Sequence, residues 1–216
     1  MIEWIILGLF VICAVWVIFS PQRGNLVAIS GLSGSGKTTI GKKLAKEHGA
    51  KFIDLDKYFV PKENIPRTKL SNGEYVTNYD CYEAINWQKF WEDVDKSLYK
   101  YELVVIVGYC LPITEEQFFI TYGEDRDYDY HFHLHLKLDK EECKKRRVAS
   151  KGLTGDKIEK DGLEVDEIVW PFYKQNYYHS GDLNYRHIDE VVDATKSPNI
   201  VFEHISGILF SLGYIN

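Results

Sequence analysis

Apolar residues in this chain come in short dense runs, and the runs differ in character. From Trp4 to Phe19 sixteen residues pass without a charge. Leu26–Ser30, Phe52–Leu55 and Leu103–Val107 are compact runs of the kind made by strands buried on both faces. Phe132–Leu138 instead alternates with period two: His131, His133, His135 and Lys137 fall on one side, Phe132, Leu134, Leu136 and Leu138 on the other. Between these runs the period becomes helical. Ile40, Leu44 and Ala45 mark one face of a segment that stops at Gly49, and Trp87, Phe90, Trp91, Val94 and Leu98 mark a face of Asn86–Lys100. Asp139 with Glu142 three residues on reads as a helix start, and Pro198–Gly213 as a closing helix. A fifth strand is expected within His187–Ser197. Strand and helix in alternation predict an α/β fold: three layers around a parallel sheet of about five strands.

The N-terminal run lies outside that alternation. A membrane-spanning helix needs about 17–25 apolar residues, so Trp4–Phe19 is at the short end. A cleaved signal peptide should begin basic and end on small residues; here Glu3 precedes the run and Ile18 and Phe19 close it. An uncleaved single-pass anchor is the better fit, with a signal peptide or a buried helix as alternatives. Arg23, Lys37, Lys42 and Lys43 follow it, which by the positive-inside bias places the domain in the cytosol. The expected organisation is an anchor and linker over 1–23 and one domain over 24–216.

Composition narrows the possibilities. Of 216 residues 45% are hydrophobic and 27% charged, which is globular. The formal charge of −6 gives no reason to expect nucleic acid as a partner. The cysteines (Cys13, Cys81, Cys110, Cys143) form no CxxC pair, against both a zinc site and a disulfide framework.

Directly after the first strand run stands Gly31-Leu32-Ser33-Gly34-Ser35-Gly36-Lys37-Thr38, which fits G-x-x-x-x-G-K-[ST] at every position and leads through Thr39 into a helix. Strand, glycine loop and helix are the context that makes this pattern a phosphate loop. The glycines let successive N–H groups turn inward on the phosphates, and the helix N-terminus adds its positive end. Lys37 would reach the β- and γ-phosphates, and Thr38 would hold Mg²⁺. ATP and Mg²⁺ are the expected cofactors, with Gly31, Ser33, Gly34, Ser35, Gly36, Lys37, Thr38 and Thr39 in the cradle. Asp56 follows the second strand run 19 positions after Lys37. Strand ends gather along one edge of an open parallel sheet, so Asp56 should emerge beside the loop, to accept a proton or to hold the metal.

Four further segments carry a resemblance. "LDKYFVP" (Leu55–Pro61), "NYDCYEA" (Asn78–Ala84), "LDKEECKKRR" (Leu138–Arg147) and "VDEIVWPFYK" (Val165–Lys174) occur in the order found in small P-loop nucleoside kinases, the uridine kinase-like group. The combination most resembles the nicotinamide riboside kinases. The resemblance runs from about Leu26 to Leu212 and implies ATP- and Mg²⁺-dependent phosphorylation of a ribonucleoside 5′-hydroxyl. It implies Asp56 as catalytic aspartate, Tyr79 against the base and Asp80 on the ribose hydroxyls. It also implies Asp166 as a substrate residue and Arg146 and Arg147 as lid cations that reach the nucleotide phosphates, ordinary helix-end cations being the alternative. A uridine or cytidine kinase, or a membrane-tethered nucleotide-binding module of weak activity, are the alternatives.

The chain departs from the family in two places. Val107 stands before Gly108 where a metal-holding glutamate is usual, and Asp54 or Asp56 could compensate. The stretch Ser150–Asp166 carries Gly and Lys rather than Arg, and is expected to be either a lid or a solvated loop. The three histidines of the alternating run are expected on a strand surface, a three-imidazole metal site being the other option. Gly123–Tyr130 is expected as a solvated insertion.

Overall fold

The computed structural model describes residues 23–122, 130–179, 182–183 and 188–215. The predicted anchor, Cys13 and most of the Gly123–Tyr130 insertion lie outside these residues. No helix among the described residues is long and apolar enough to cross a membrane.

Five parallel strands form the central sheet: β1 (Asn25–Gly31), β2 (Lys51–Asp54), β3 (Leu103–Gly108), β4 (Phe132–Lys137) and β5 (Glu190–Asp193), in the order β2-β3-β1-β4-β5. Val27 is opposite Val105 on one side and Phe132 on the other, which fixes the register of the middle three strands. Every residue of β3 is buried, so the sheet is covered on both faces, as a parallel sheet requires.

The connections are helical. α1 (Lys37–His48) links β1 to β2 and packs against α7 (Pro198–Ser211). α2 (Trp87–Leu98) precedes β3 and packs against α3 (Glu115–Tyr122). Asn86 caps α2 by accepting from the Lys89 N–H at 3.1 Å, and the predicted face (Trp87, Phe90, Trp91, Val94, Leu98) is buried. Asp139 caps α4 (Lys140–Lys151) through the Glu142 N–H at 2.8 Å. The three described cysteines are free thiols.

The Ser150–Asp166 stretch is neither an open loop nor Arg-lined. It closes α4 at Gly152 and becomes α5 (Asp156–Glu164). A wide π turn, Val165–Val169, then runs without a break into α6 (Trp170–Tyr177). In that turn the Trp170 N–H bonds back to Val165 O. Pro171 follows at once; proline brings no N–H to a helix and crowds the preceding turn, and a widened turn is where a helix can take one.

The alternation in β4 also resolves differently from expectation. His133 is 1% exposed and His135 fully buried, because helices cover both faces of the strand. The Ser30 hydroxyl lies between them, 2.7 Å from His133 Nε2 and 2.8 Å from His135 Nδ1. His135 Nε2 lies 2.7 Å from the Tyr173 hydroxyl, so the polar atoms are satisfied within the core. Among the described residues no group of three or more His, Cys, Asp or Glu side chains is placed to hold a metal ion.

Candidate active site

The strands end in a cavity of about 840 Å³ whose walls include Gly34, Lys37, Thr38, Asp54, Asp56, Tyr79, Asp80 and Arg147. It lies where β1 leaves its neighbours β3 and β4, the switch point at which open parallel sheets bind ligands.

At the nucleotide end, β1 passes directly into the glycine loop. A Cβ on Gly31 would stand 2.4 Å from Leu136 O, so only glycine lets the loop leave the sheet this closely. Gly36 opens α1 at φ 95°, a left-handed conformation that other residues resist. Ser33, Gly34, Gly36, Lys37, Thr38 and Thr39 all reach the cavity. Lys37 Nζ donates to Leu32 O of its own loop at 2.9 Å. Burial lowers its pKa, with the Asp56 carboxylate the strongest opposing influence. Ser35 Oγ is buried with no hydrogen-bond partner among the described residues. A cradle of inward N–H groups, one cation and an unsatisfied hydroxyl fits a polyphosphate. Arg146, on α4, spans the rim of this end, from Gly34 O at 3.2 Å to Thr195 O at 3.5 Å, and is braced by Glu142 at 2.8 Å.

Between the two ends stand the carboxylates of β2. Asp54 accepts from the Asp56 N–H at 3.3 Å and so turns the chain at the strand end. Asp56 then projects into the cavity, where desolvation raises its pKa and Lys37 pulls it back. Val107 pairs in register with Asp54 and is 1% exposed. It fills the gap to α1, close enough that a Cβ on Gly41 would meet it at 2.7 Å. No carboxylate projects from β3 here, so Thr38, Asp54 and Asp56 form the available oxygen set. One or two carboxylates plus phosphate oxygens are what Mg²⁺ usually takes, so the residues fit that ion.

The acceptor end draws on separate segments. Tyr79 packs edge-on against Phe59, ring centres 4.9 Å apart. The Asp80 N–H is held by Asn78 Oδ1 at 3.0 Å. Burial pushes the Asp80 carboxyl up to about 6, against the pull of Arg147. No hydrogen bond to this carboxylate is formed among the described residues. Arg147 itself is committed: its guanidinium makes a two-pronged contact with Asp161 at 2.9 and 2.8 Å, and Lys151 joins the same carboxylate at 2.6 Å. This pins α5 against α4.

A hairpin of strands Arg67–Lys69 and Tyr75–Thr77 forms the roof. Glu167 of the π turn accepts from the Ser71 N–H at 2.8 Å and from the Ser71 hydroxyl, and Lys160 pairs with Glu74 at 2.7 Å. Leu70, Val76 and Ile168 form a small apolar cluster beneath these contacts.

The structure thus brings Lys37, Thr38, Asp56, Tyr79 and Asp80 to one cavity and leaves Asp166 outside its lining. Asp166 is held by Lys140 and Lys144, each at 2.8 Å, which keep its carboxyl below the usual range. The preceding turn presents Glu164 to the cavity instead. Phe59, Tyr75, Thr77, Tyr109, Lys160 and Glu164 are lining residues that the sequence did not single out. Phe59 had a visible signal, its place three residues after Asp56; the rest arrive through long-range packing.

A five-stranded parallel sheet in this order, with an intact phosphate loop, a carboxylate pair beside it and a separate second chamber, defines the P-loop kinase fold class. The family described as Shikimate kinase matches residues 33–205, and the chain belongs to it. A gluconokinase of Arabidopsis thaliana is 33% identical over 105 residues, spanning 48% of this chain and 51% of that protein. The chain therefore spans about half the length of that relative. Nicotinamide riboside kinase 1 of Homo sapiens is 27% identical over 200 residues, 82% of this chain and 87% of that one. The thymidylate kinase of Candida albicans shares the fold with a TM-score of 0.55 at 15% identity, over 89% of this chain and 93% of that one.

Proposed function

We propose that this kinase transfers the γ-phosphoryl group of ATP to the 5′-hydroxyl of a ribonucleoside, nicotinamide riboside being the favoured acceptor. The observation that carries this is the charge and shape of the acceptor end. Asp54, Asp56, Asp80 and Glu164 face the chamber together with Lys62 and, at the phosphate loop, Lys37, while Arg147 and Lys151 are bound to Asp161 and Lys160 to Glu74. Such a chamber offers an acidic acceptor such as gluconate or shikimate only Lys62 as a cation outside these pairs and the phosphate loop. It attracts a cationic aromatic ring, for which the Phe59–Tyr79 pair provides flat and edge surfaces. The unpaired Asp80 carboxylate suits adjacent ribose hydroxyls, whose two O–H groups can donate to its two oxygens. Human nicotinamide riboside kinase 1, matched over 82% of this chain and 87% of its own length, points the same way.

ATP supplies the phosphoryl group; Thr38, Asp54 and Asp56 would hold Mg²⁺, which would supply neutralising charge for the phosphates. Asp80 and Tyr79 hold the nucleoside so that its 5′-hydroxyl faces Asp56. Asp56 orients that hydroxyl and takes its proton as the new O–P bond forms. Lys37 and the loop N–H groups meet the charge left on the departing ADP oxygen. Positioning and charge stabilisation are the main demands of this chemistry. The apolar segment Trp4–Phe19 tethers the enzyme as a single-pass anchor with the kinase domain in the cytosol.

The test is the full chain in mild detergent with ATP, Mg²⁺ and, separately, nicotinamide riboside, uridine, cytidine, gluconate and shikimate. Phosphorylated product is read by mass spectrometry. Nicotinamide riboside should give the highest kcat/KM. Preferred transfer to gluconate or shikimate overturns the reading.

A further inference from the structure

We propose that the rim of the sheet opposite the active site, around Arg23, Lys51, Lys96, Lys100, Tyr99 and Tyr101, is a membrane-facing surface that binds anionic lipid headgroups. This rests on the anchor reading above and adds the orientation of the kinase on the bilayer.

The tether sets the geometry. The apolar run ends at Phe19 and Arg23 is the fourth residue after it. At about 3.5 Å per residue the chain between them spans at most ~14 Å. Whatever surrounds Arg23 is therefore held close to the headgroups. Gly24 is fixed in place by its N–H bond to Leu98 O at 2.7 Å, so the tether leaves the domain beside the end of α2.

The surface found there suits a bilayer with negative charge. Arg23, Tyr99, Lys100 and Tyr101 line one cleft of about 470 Å³. Lys100 and Tyr101 also line a second, of about 510 Å³, whose walls include Lys42, Lys51, Lys57 and Lys96. Lys42, Lys51, Lys57 and Lys100 form no ion pair among the described residues. This is a concentration of available cations on a chain whose formal charge is −6. Of the acidic neighbours, Asp95 is paired with Arg23 at 2.7 Å, Asp93 accepts from the Tyr58 hydroxyl at 3.0 Å, and Lys96 lies 3.6 Å from Glu92 and 3.9 Å from Asp93; Glu102 lines the first cleft and Asp54 the second. Tyr99 and Tyr101 are 57% and 41% exposed, and tyrosine is favoured at the headgroup level of membranes. Lysines along the edge strand β2 also discourage sheet-to-sheet pairing, but that does not account for the tyrosines or for the lysines of α2. Juxtamembrane cations bind anionic leaflets additively.

One consequence concerns access. Arg23 precedes β1, and the phosphate loop follows it; seven residues of strand separate them, about 20 Å. With the rim on the bilayer, the cavity opens away from it, toward soluble ATP and nucleoside.

The full chain is placed in nanodiscs of phosphatidylcholine alone or mixed with phosphatidylserine, and lysine labelling by an amine reagent is read by peptide mass spectrometry. Labelling of Lys51, Lys96 and Lys100 should fall severalfold in the anionic discs and recover in high salt. Lys145, on α4 near the cavity, should label equally in both. The variant Lys51→Glu/Lys96→Glu/Lys100→Glu should keep its kinase activity in detergent and lose the lipid-dependent protection of the neighbouring Lys42 and Lys57. Equal labelling in both discs, with the chain resistant to alkaline carbonate extraction, overturns the surface and leaves the anchor standing. Extraction of the chain by carbonate overturns the anchor and the surface with it. Protection of the same lysines by added RNA or a phosphopeptide instead of by anionic lipid overturns the choice of partner.

Discussion

The two ends of the cavity are built on different plans. The nucleotide end is one unbroken piece of chain, from β1 through the glycine loop into α1, and most of what it offers a phosphate is backbone N–H. The acceptor end is assembled from side chains of the β2 exit, the Tyr75–Asp80 stretch, the end of β3, and helices α4 and α5. The first can change little without losing the loop. The second can be retuned one residue at a time, which explains how kinases for different acceptors share one phosphate cradle.

That contrast is broken most severely at the residues the two ends share. Lys37→Ala should lower kcat by roughly 10³-fold, because a cation on transferring phosphate is a dominant source of stabilisation. Asp56→Ala should cost about 10²–10⁴-fold. Steady-state kinetics with excess ATP and acceptor checks both.

Asp80→Asn should act on one end only. The acceptor KM should rise about 10–100-fold for the loss of a charged hydrogen-bond partner, with the KM for ATP unchanged. The same variant should be more stable than the parent at neutral pH. In the folded chain Asp80 titrates near 6, above an unfolded aspartate at about 4. The folded state therefore holds the proton more tightly, and the ionised carboxyl costs stability once the pH exceeds both values. Asparagine removes that cost, about 1–3 kcal/mol, readable as a higher Tm at pH 7.5 that vanishes near pH 4. For the parent enzyme, kcat/KM for the acceptor should fall as pH drops through about 6. A pH profile unchanged in Asp80→Asn would remove this aspartate from the acceptor site.

Smaller effects should follow from the roof. Glu167→Gln weakens the clasp on Ser71 and should raise the acceptor KM about 2–10-fold, from roughly 0.5–1.5 kcal/mol per hydrogen bond. Affinity for ATP, measured by calorimetry, should not move. The smallest effect on turnover belongs to His135→Phe, which removes one hydrogen-bond partner each from Ser30 and Tyr173 and should cost about 1–3 kcal/mol of stability by urea denaturation, with kcat nearly intact.

The same division decides what could be read in advance. The phosphate loop and the five strands were legible because glycine placement and apolar runs are local properties. Asp56 was legible from its place at a strand end, Tyr79 and Asp80 only through a resemblance, and the cavity does gather all three. The histidines of β4 were expected at a surface because alternation usually means one wet face; the covering helices are a tertiary fact that no window of seven residues contains. Asp166 lies outside the cavity lining for a related reason. Its carboxylate has two lysines within reach on α4, a pairing set by how α4 and the π turn meet. The stretch Ser150–Asp166, with Gly and Lys in place of Arg, does not show locally whether it closes, because the Arg147–Asp161 contact that organises it joins residues from two different helices.

The π turn between α5 and α6 acts as a phase adjuster. An α-helix advances about 100° per residue, so the turn's extra residue rotates everything after it by that angle. α5 can then aim Lys160 and Glu164 at the cavity while α6 sends Tyr173 and Tyr177 into the core, where Tyr177 donates to Tyr109 O at 2.8 Å. In a regular helix these two demands would compete for one angular setting. Because of the offset, the acceptor-facing half can drift in sequence as substrates change while the core-facing half keeps its place, and a single-residue deletion anywhere in Val165–Val169 would force the helix to give up one of its two duties.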